Sequence, residues 1–201
     1  MLIVGVPESE VESVLEAGVG PALPVGARCP ACAGELGRWG SYSRLVRRFG
    51  GTFKVRIRRA ICRSCGATHA LLPGFLFARR LDLAEAIGRA LWLAVEGLGH
   101  RRVAGALGVP ETTARSWLRR LRGRSDSLRR GFVRLAQELG QGGSRAPPSG
   151  DPLVWLLEAI GAAHGAARER FGPASVGSVW AFSSAASGGL LLANTGSPFP
   201  A

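Results

Sequence analysis

Cys29-Pro30-Ala31-Cys32 and Cys62-Arg63-Ser64-Cys65 contain all four cysteines of the chain, as two Cys-x-x-Cys pairs with 29 residues between them. A glycine follows each pair, Gly34 and Gly66, as expected of a tight turn whose backbone amides face the sulfurs. Two such turns brought together make a tetrahedral four-sulfur site, and the spacer is long enough for a small antiparallel sheet. The pattern is read as a structural zinc ion held by Cys29, Cys32, Cys62 and Cys65. Four thiolates leave no open position for a catalytic water. Two disulfides are disfavoured in a reducing cytoplasm. A redox dithiol needs only one pair beside a βαβ unit, and none is visible. His69, close behind the second pair, is a possible substitute ligand but is read as a surface or packing residue.

Within the spacer, residues 53–58 alternate. Phe53, Val55 and Ile57 point one way and Lys54, Arg56 and Arg58 the other, so one face of a strand packs and the opposite face is a row of cations. From Leu81 the period changes from two to about 3.6. Leu83, Ile87, Leu91, Val95 and Leu98 form one helical stripe, with Asp82 placed to cap the helix and Gly99 to end it. A second short helix over 101–107 stops at Gly108. A third opens at Pro110, with Glu111 where the helix dipole favours an acid, and runs to about 122. Further helices are expected over 127–139 and 152–171. They are separated by a Gly- and Pro-rich run at 140–150.

This sets out an α+β, mostly helical chain, in which a small zinc-ribbon β-sheet precedes a helix-turn-helix bundle and C-terminal helices. The expected divisions are a peripheral leader over 1–27, the ribbon over 28–80, the bundle over 81–140, a linker over 141–150, and a C-terminal helix with a low-complexity tail over 151–201. The uncharged, Gly-, Ser- and Ala-rich stretch after Gly172 is expected to be partly ordered at best.

Charge bears on function. The 201 residues carry a formal net charge of +12. Between 28 and 130, 22 Lys or Arg face six acids, a net of +16, while 1–27 hold four Glu and no base. A polyanion is the expected partner of that middle region. No stretch of eighteen residues is continuously apolar and no basic segment precedes the short apolar start, so neither membrane residence nor export is expected. The expected location is cytoplasmic and, with DNA as partner, the bacterial nucleoid.

The stretch 100–121 has helix-turn-helix spacing. Ala104 is small where two helices cross, Gly108 permits the bend, and Val103, Leu107, Val109, Ala114 and Trp117 supply apolar contacts. Thr112, Arg115, Ser116 and Arg119 then lie where base edges of a major groove are reached. Arg101, Arg102, Thr113, Arg120 and Arg122 are placed for phosphates. Arg47, Arg48, Lys54, Arg56, Arg58 and Arg59 would add phosphate contacts from the ribbon. A dimer through helix 152–171 would space half-sites about one helical turn apart, although the same stripe could equally pack on the preceding helices.

The order CPxC, a basic strand, RxxCRSCGATH, a long helix and GVPxxTxxxWL resembles the amino-terminal zinc-ribbon and helix-turn-helix region of insertion-sequence transposases. It is similar above all to transposase-like bacterial DNA-binding proteins that contain this pair of modules and little else. The resemblance covers about 28–124. It implies the four cysteines as zinc ligands and 112–120 as a recognition helix reading double-stranded DNA. Full transposases of this kind continue into an RNase-H-like domain with three metal-binding acids. Here 77 residues follow Arg124, and their acids, Asp126, Glu138, Asp151, Glu158 and Glu169, fall on expected helices or the linker. The expectation is therefore a non-enzymatic DNA-binding protein, regulatory or transposase-like. The alternatives are a non-catalytic subunit or remnant of a recombinase and a protein-interaction scaffold.

Overall fold

A computed structural model describes residues 1–48, 51–140, 150–193 and 199. The long strands β2 (Leu36–Arg48) and β3 (Gly51–Cys62) pair antiparallel, and β4 (Thr68–Pro73) pairs with the far end of β3. Val55 and Ile57 are fully buried while Lys54 and Arg56 are exposed, so the alternation reads as expected.

The leader is part of the sheet rather than peripheral to it. β1 (Leu2–Val4) adds a parallel strand beside β4, giving the order β1-β4-β3-β2. The helix α1 (Val11–Ala17) buries Leu15 against Val46, Val55, Ile57 and Leu72, and the backbone at Gly18 and Gly20 then bonds to Arg56 of β3. The leader reads as a peripheral helix with a loose connection, and the helix is present as α1, but it is packed rather than peripheral. The apolar residues that decide its placement, Val11, Val14 and Leu15, are few and sit on one side.

A second cluster covers the other face of the sheet at its cysteine end, where Ala60, Cys62, Leu36 and Leu71 meet Val4 and Cys29. The largest core is helical. It comprises α2 (Ala84–Val95), α3 (His100–Leu107), α4 (Glu111–Glu138) and α5 (Pro152–Phe171), whose apolar stripes interlock with no cysteine among them. The whole is α+β, as the sequence implies.

Two helices expected over 110–122 and 127–139 are one. α4 runs 28 residues without a break, about 42 Å at 1.5 Å per residue. Gly123 is exposed, while Leu118, Leu121, Ser125, Leu128 and Phe132 keep burying at three- and four-residue intervals on either side of it. The glycine costs about 1 kcal/mol of propensity, which that unbroken stripe exceeds. α5 lies along the later part of α4 and parallel to it: Asp151, at its start, is 3.8 Å from Arg122, and Arg170, near its end, donates to the Glu138 carbonyl at 3.0 Å. The stripe Leu153, Leu156, Ile160 and Ala163 is thereby used inside the chain and is not a free dimer surface. Residues 141–149 of the expected linker lie outside the described residues.

The tail also departs from expectation. α6 (Pro173–Val176) and α7 (Val179–Ala186) fold back onto the molecule, and Trp180 is buried against Gly88 of α2. A Cβ on Gly88 would come within 1.8 Å of the indole. Gly88→Ala should therefore lower unfolding free energy by about 3 kcal/mol, read from denaturant melts. Phe199 meets Phe132 edge-on, with centroids 4.9 Å apart, over Gly131. The serines suit this interior because each hydroxyl finds a backbone carbonyl, two of these in α7 and the third at Leu76. Ser183 donates to the Val179 carbonyl, Ser187 to that of Ser183, and Ser184 to that of Leu76, each at 2.7 Å.

The ribbon and the helices are joined by more than the tail. Asp82 does not cap α2, whose N-cap is Leu83. It accepts Arg47 Nε at 2.7 Å and Nη2 at 3.1 Å, and the Arg47 amide bonds to the Leu81 carbonyl. With the Asp82 side chain only 5% exposed, Asp82→Ala leaves a partly buried cation alone and should cost about 3 kcal/mol, measured the same way.

Candidate metal centre and nucleic-acid interface

The two Cys-x-x-Cys turns are brought together where the chain enters β2 and where β3 ends. Among the described residues, Cys29, Cys32, Cys62 and Cys65 form a group that a metal ion could join, with all four sulfurs within 4.8 Å of one another. Cys29 and Cys65 are 3.8 Å apart, Cys32 and Cys62 3.5 Å. An ion at the centre of a sulfur tetrahedron with bonds of about 2.3 Å requires sulfur pairs about 3.8 Å apart. The side chains present fit a metal ion of that size and ligand preference.

Each turn closes by backbone bonds. Ala33 donates to the Cys29 carbonyl at 2.8 Å, and Gly66 to the Cys62 carbonyl at 3.0 Å. The left-handed residue of the second turn is Gly66 (φ 71°), as expected, but that of the first is Ala33 (φ 59°) and not Gly34. Gly34 is needed for another reason: a Cβ there would lie 2.4 Å from Ser64 Oγ and 3.1 Å from Cys62 Sγ. The turns meet at this residue. Gly34→Ala should push them apart and weaken metal affinity by about tenfold or more, measured by chelator competition.

Amides of Cys65 and then Ser64 donate to the Cys62 sulfur and outweigh its burial, holding that thiol down at about 6. For Cys32 the Gly34 amide acts downward, but the neighbouring sulfurs of Cys62, Cys65 and Cys29, together with burial, push it up to about 12. Crowded sulfurs cannot all ionise without a cation among them, so metal binding and proton release are coupled here. His69 is a packing residue of a particular kind. It is buried, its Nε2 is 3.4 Å from Cys29 Sγ, and burial followed by the charged N-terminus lowers its proton affinity. A neutral imidazole in that position can hydrogen-bond the Cys29 sulfur, a contact that the count of cysteines alone could not disclose.

The segment 100–121, expected to be a helix-turn-helix, forms α3, a turn over 108–110 and the start of α4. Gly108, at φ 63°, ends α3, and its amide bonds to the Ala104 carbonyl. Val103, Ala104, Ala114 and Trp117 are buried at the crossing, as their spacing implies. Because α5 begins level with Arg122, the first three turns of α4 project beyond it. There Thr112, Arg115, Ser116 and Arg119 line one shallow surface depression. Arg115 and Arg119 are exposed, and neither enters an ion pair among the described residues. Arg101 and Arg102 are exposed on the neighbouring α3, with Arg101 3.6 Å from Glu111. Thr113 is half-buried. Arg120 bonds back to Ser116 at 3.2 Å, and Arg122 faces Asp151, so these two are tied to the protein's own groups.

On the ribbon, Lys54 and Arg56 are exposed and Arg58 is half-buried on the same face. Two cations expected at that edge are otherwise engaged: Arg47 with Asp82, and Arg48 with Glu12 of α1. Three of the five acids after Arg124 are also engaged, while Glu158 and Glu169 are exposed on α5. Asp126 pairs with Arg129 and Arg130, Glu138 lies 4.0 Å from Arg134, and Asp151 accepts the Leu153 amide as the cap of α5.

Residues 29–102 match a family described only as a domain of unknown function (DUF6431). The match takes in both cysteine turns, β2 to β4, α2 and the first residues of α3, and ends before the exposed face of α4. It runs across the boundary expected at 80, where the Arg47–Asp82 pair joins the two parts. No curated protein and no solved structure matches the chain. No helix among the described residues is long and apolar enough to cross a membrane.

Proposed function

We propose that this protein binds duplex DNA through its helix-turn-helix, with a structural zinc ion organising the ribbon, and that it works as a transposase-like or regulatory factor without a catalytic domain of its own. The observation that carries this reading is the face of α4 bearing Thr112, Arg115, Ser116 and Arg119. On it Thr112, Arg115 and Arg119 are exposed and Ser116 is half-buried, its two guanidiniums are outside any ion pair among the described residues, and it stands clear of α5 next to Arg101 and Arg102. Such a helix has the width and the donors for a major groove. Guanidinium forks suit guanine edges and phosphate oxygens, and threonine and serine hydroxyls suit either. Zinc is the assignment for the metal because four thiolates with near-tetrahedral sulfur separations favour it, and a closed set of that kind supports folding rather than chemistry.

With about six phosphates neutralised, affinity for a duplex should fall roughly 10³-fold between about 50 and 200 mM salt. A mobility-shift titration gives that slope directly, and a flat response would exclude the electrostatic interface.

A further inference from the structure

The pairing of β2 with β3 slips by one residue between Arg38 and Gly40, which leaves Trp39 as the extra residue of a bulge. Trp39 is 58% exposed; Trp92 on α2 is 44% exposed, whereas Trp117 and Trp180 are each 2% exposed. Trp39 lines one shallow groove with Arg38, Arg58 and Arg59, over Leu23 and Leu71. No acidic side chain lines it. Arg59 is braced by a 2.8 Å bond to Thr68 Oγ1, which fixes a cation beside the ring. From Arg58 the same face continues through Arg56 and Lys54 at two-residue steps, roughly 6.6 Å apart along the strand.

We propose that this face of the ribbon is a second nucleic-acid site, which takes an unpaired strand by stacking a base on Trp39 and running the strand's phosphates along Arg38, Arg58, Arg56 and Lys54. The chemistry selects the ligand. A flat, exposed ring flanked by cations and free of nearby acids complements a π-face attached to a polyanion. The bases of an intact duplex are already stacked on one another and cannot offer that face, whereas an open or frayed strand can. The site is separate from the helix-turn-helix and does not depend on the duplex reading given above.

Fluorescence anisotropy of the full chain with labelled oligo-dT, oligo-U and a blunt duplex tests it, with metal content checked in every variant. Trp39→Ala should weaken binding of the unpaired strands by about tenfold, Trp39→Phe should keep most of it, and both should leave duplex affinity unchanged. Arg115→Ala with Arg119→Ala should leave strand binding intact whatever it does to the duplex. Equal affinity for dT and U identifies a sugar-blind platform, and a preference for one names the natural strand; both outcomes support the site. No binding of either strand by the wild-type chain overturns the proposal. So does full retention of strand binding in Trp39→Ala, or an equal loss of duplex and strand.

Discussion

Removing the metal, by a strong chelator or by Cys62→Ser, should unfold the cysteine end of the sheet while the helical bundle stays folded. Cys29 and Cys62 are core members of the cluster that also holds Leu36, Ala60 and Leu71, so losing the ion unties both turns and opens that cluster together. The inner face of the sheet, packed on Leu15, keeps a core of its own, and the helical core contains no cysteine. Structural zinc supplies about 10–16 kcal/mol in peptides that have nothing else to fold around. With two other cores present, a loss of about 5 kcal/mol is expected here, a fall in melting temperature of about 10–20 °C for a chain of this size. Elemental analysis should give one metal ion per chain. Hydrogen exchange should localise the loss of protection to the turns at Cys29 and Cys62 and to the adjoining ends of β2, β3 and β4, with α4 and α5 unaffected. A metal-free chain that melts with the native one would refute the structural role.

Arg115→Ala combined with Arg119→Ala should abolish most duplex binding and leave the fold alone. Each bidentate guanidinium contact to a base is worth about 1–3 kcal/mol, so the pair should cost about 100-fold or more in affinity. Because both side chains are exposed and outside any ion pair among the described residues, stability should change by no more than about 0.5 kcal/mol. The salt slope separates their roles. If they touch phosphates, it should fall by about two units; if they read bases, it should hold while discrimination between sequences relaxes. Unchanged binding in the double variant would remove α4 as the interface and favour the scaffold reading.

The features legible in the sequence were those written in short, local patterns. The spacing of the cysteines is enough to anticipate one cluster, because each Cys-x-x-Cys makes its own turn and the intervening strands have only one way to return. The alternation at 53–58 names the buried face for the same reason. What escaped depends on partners distant in sequence. Arg47 and Arg48 read as free cations, yet Asp82 and Glu12 reach them across 35 and 36 residues. Ala33 takes the left-handed position that Gly34 invited, since Gly34 is kept for the close approach of the second turn. The tail looked unstructured because it carries no charge and few large side chains. Its hydroxyls close on its own carbonyls and on Leu76, and Trp180 and Phe199 fill hollows that exist only because Gly88 and Gly131 lack side chains.

The unbroken course of α4 makes it a lever arm. Its exposed end at Arg115 and its far end at Glu138 belong to one rod about 35 Å long, splinted by α5, with no joint to absorb a rotation. A tilt of about 10° imposed by docking would swing the distal tip by roughly 6 Å. On the proposed DNA-binding reading, the docking angle would therefore be carried mechanically to the opposite end of α4 and α5, and a partner assembling there would meet it already set.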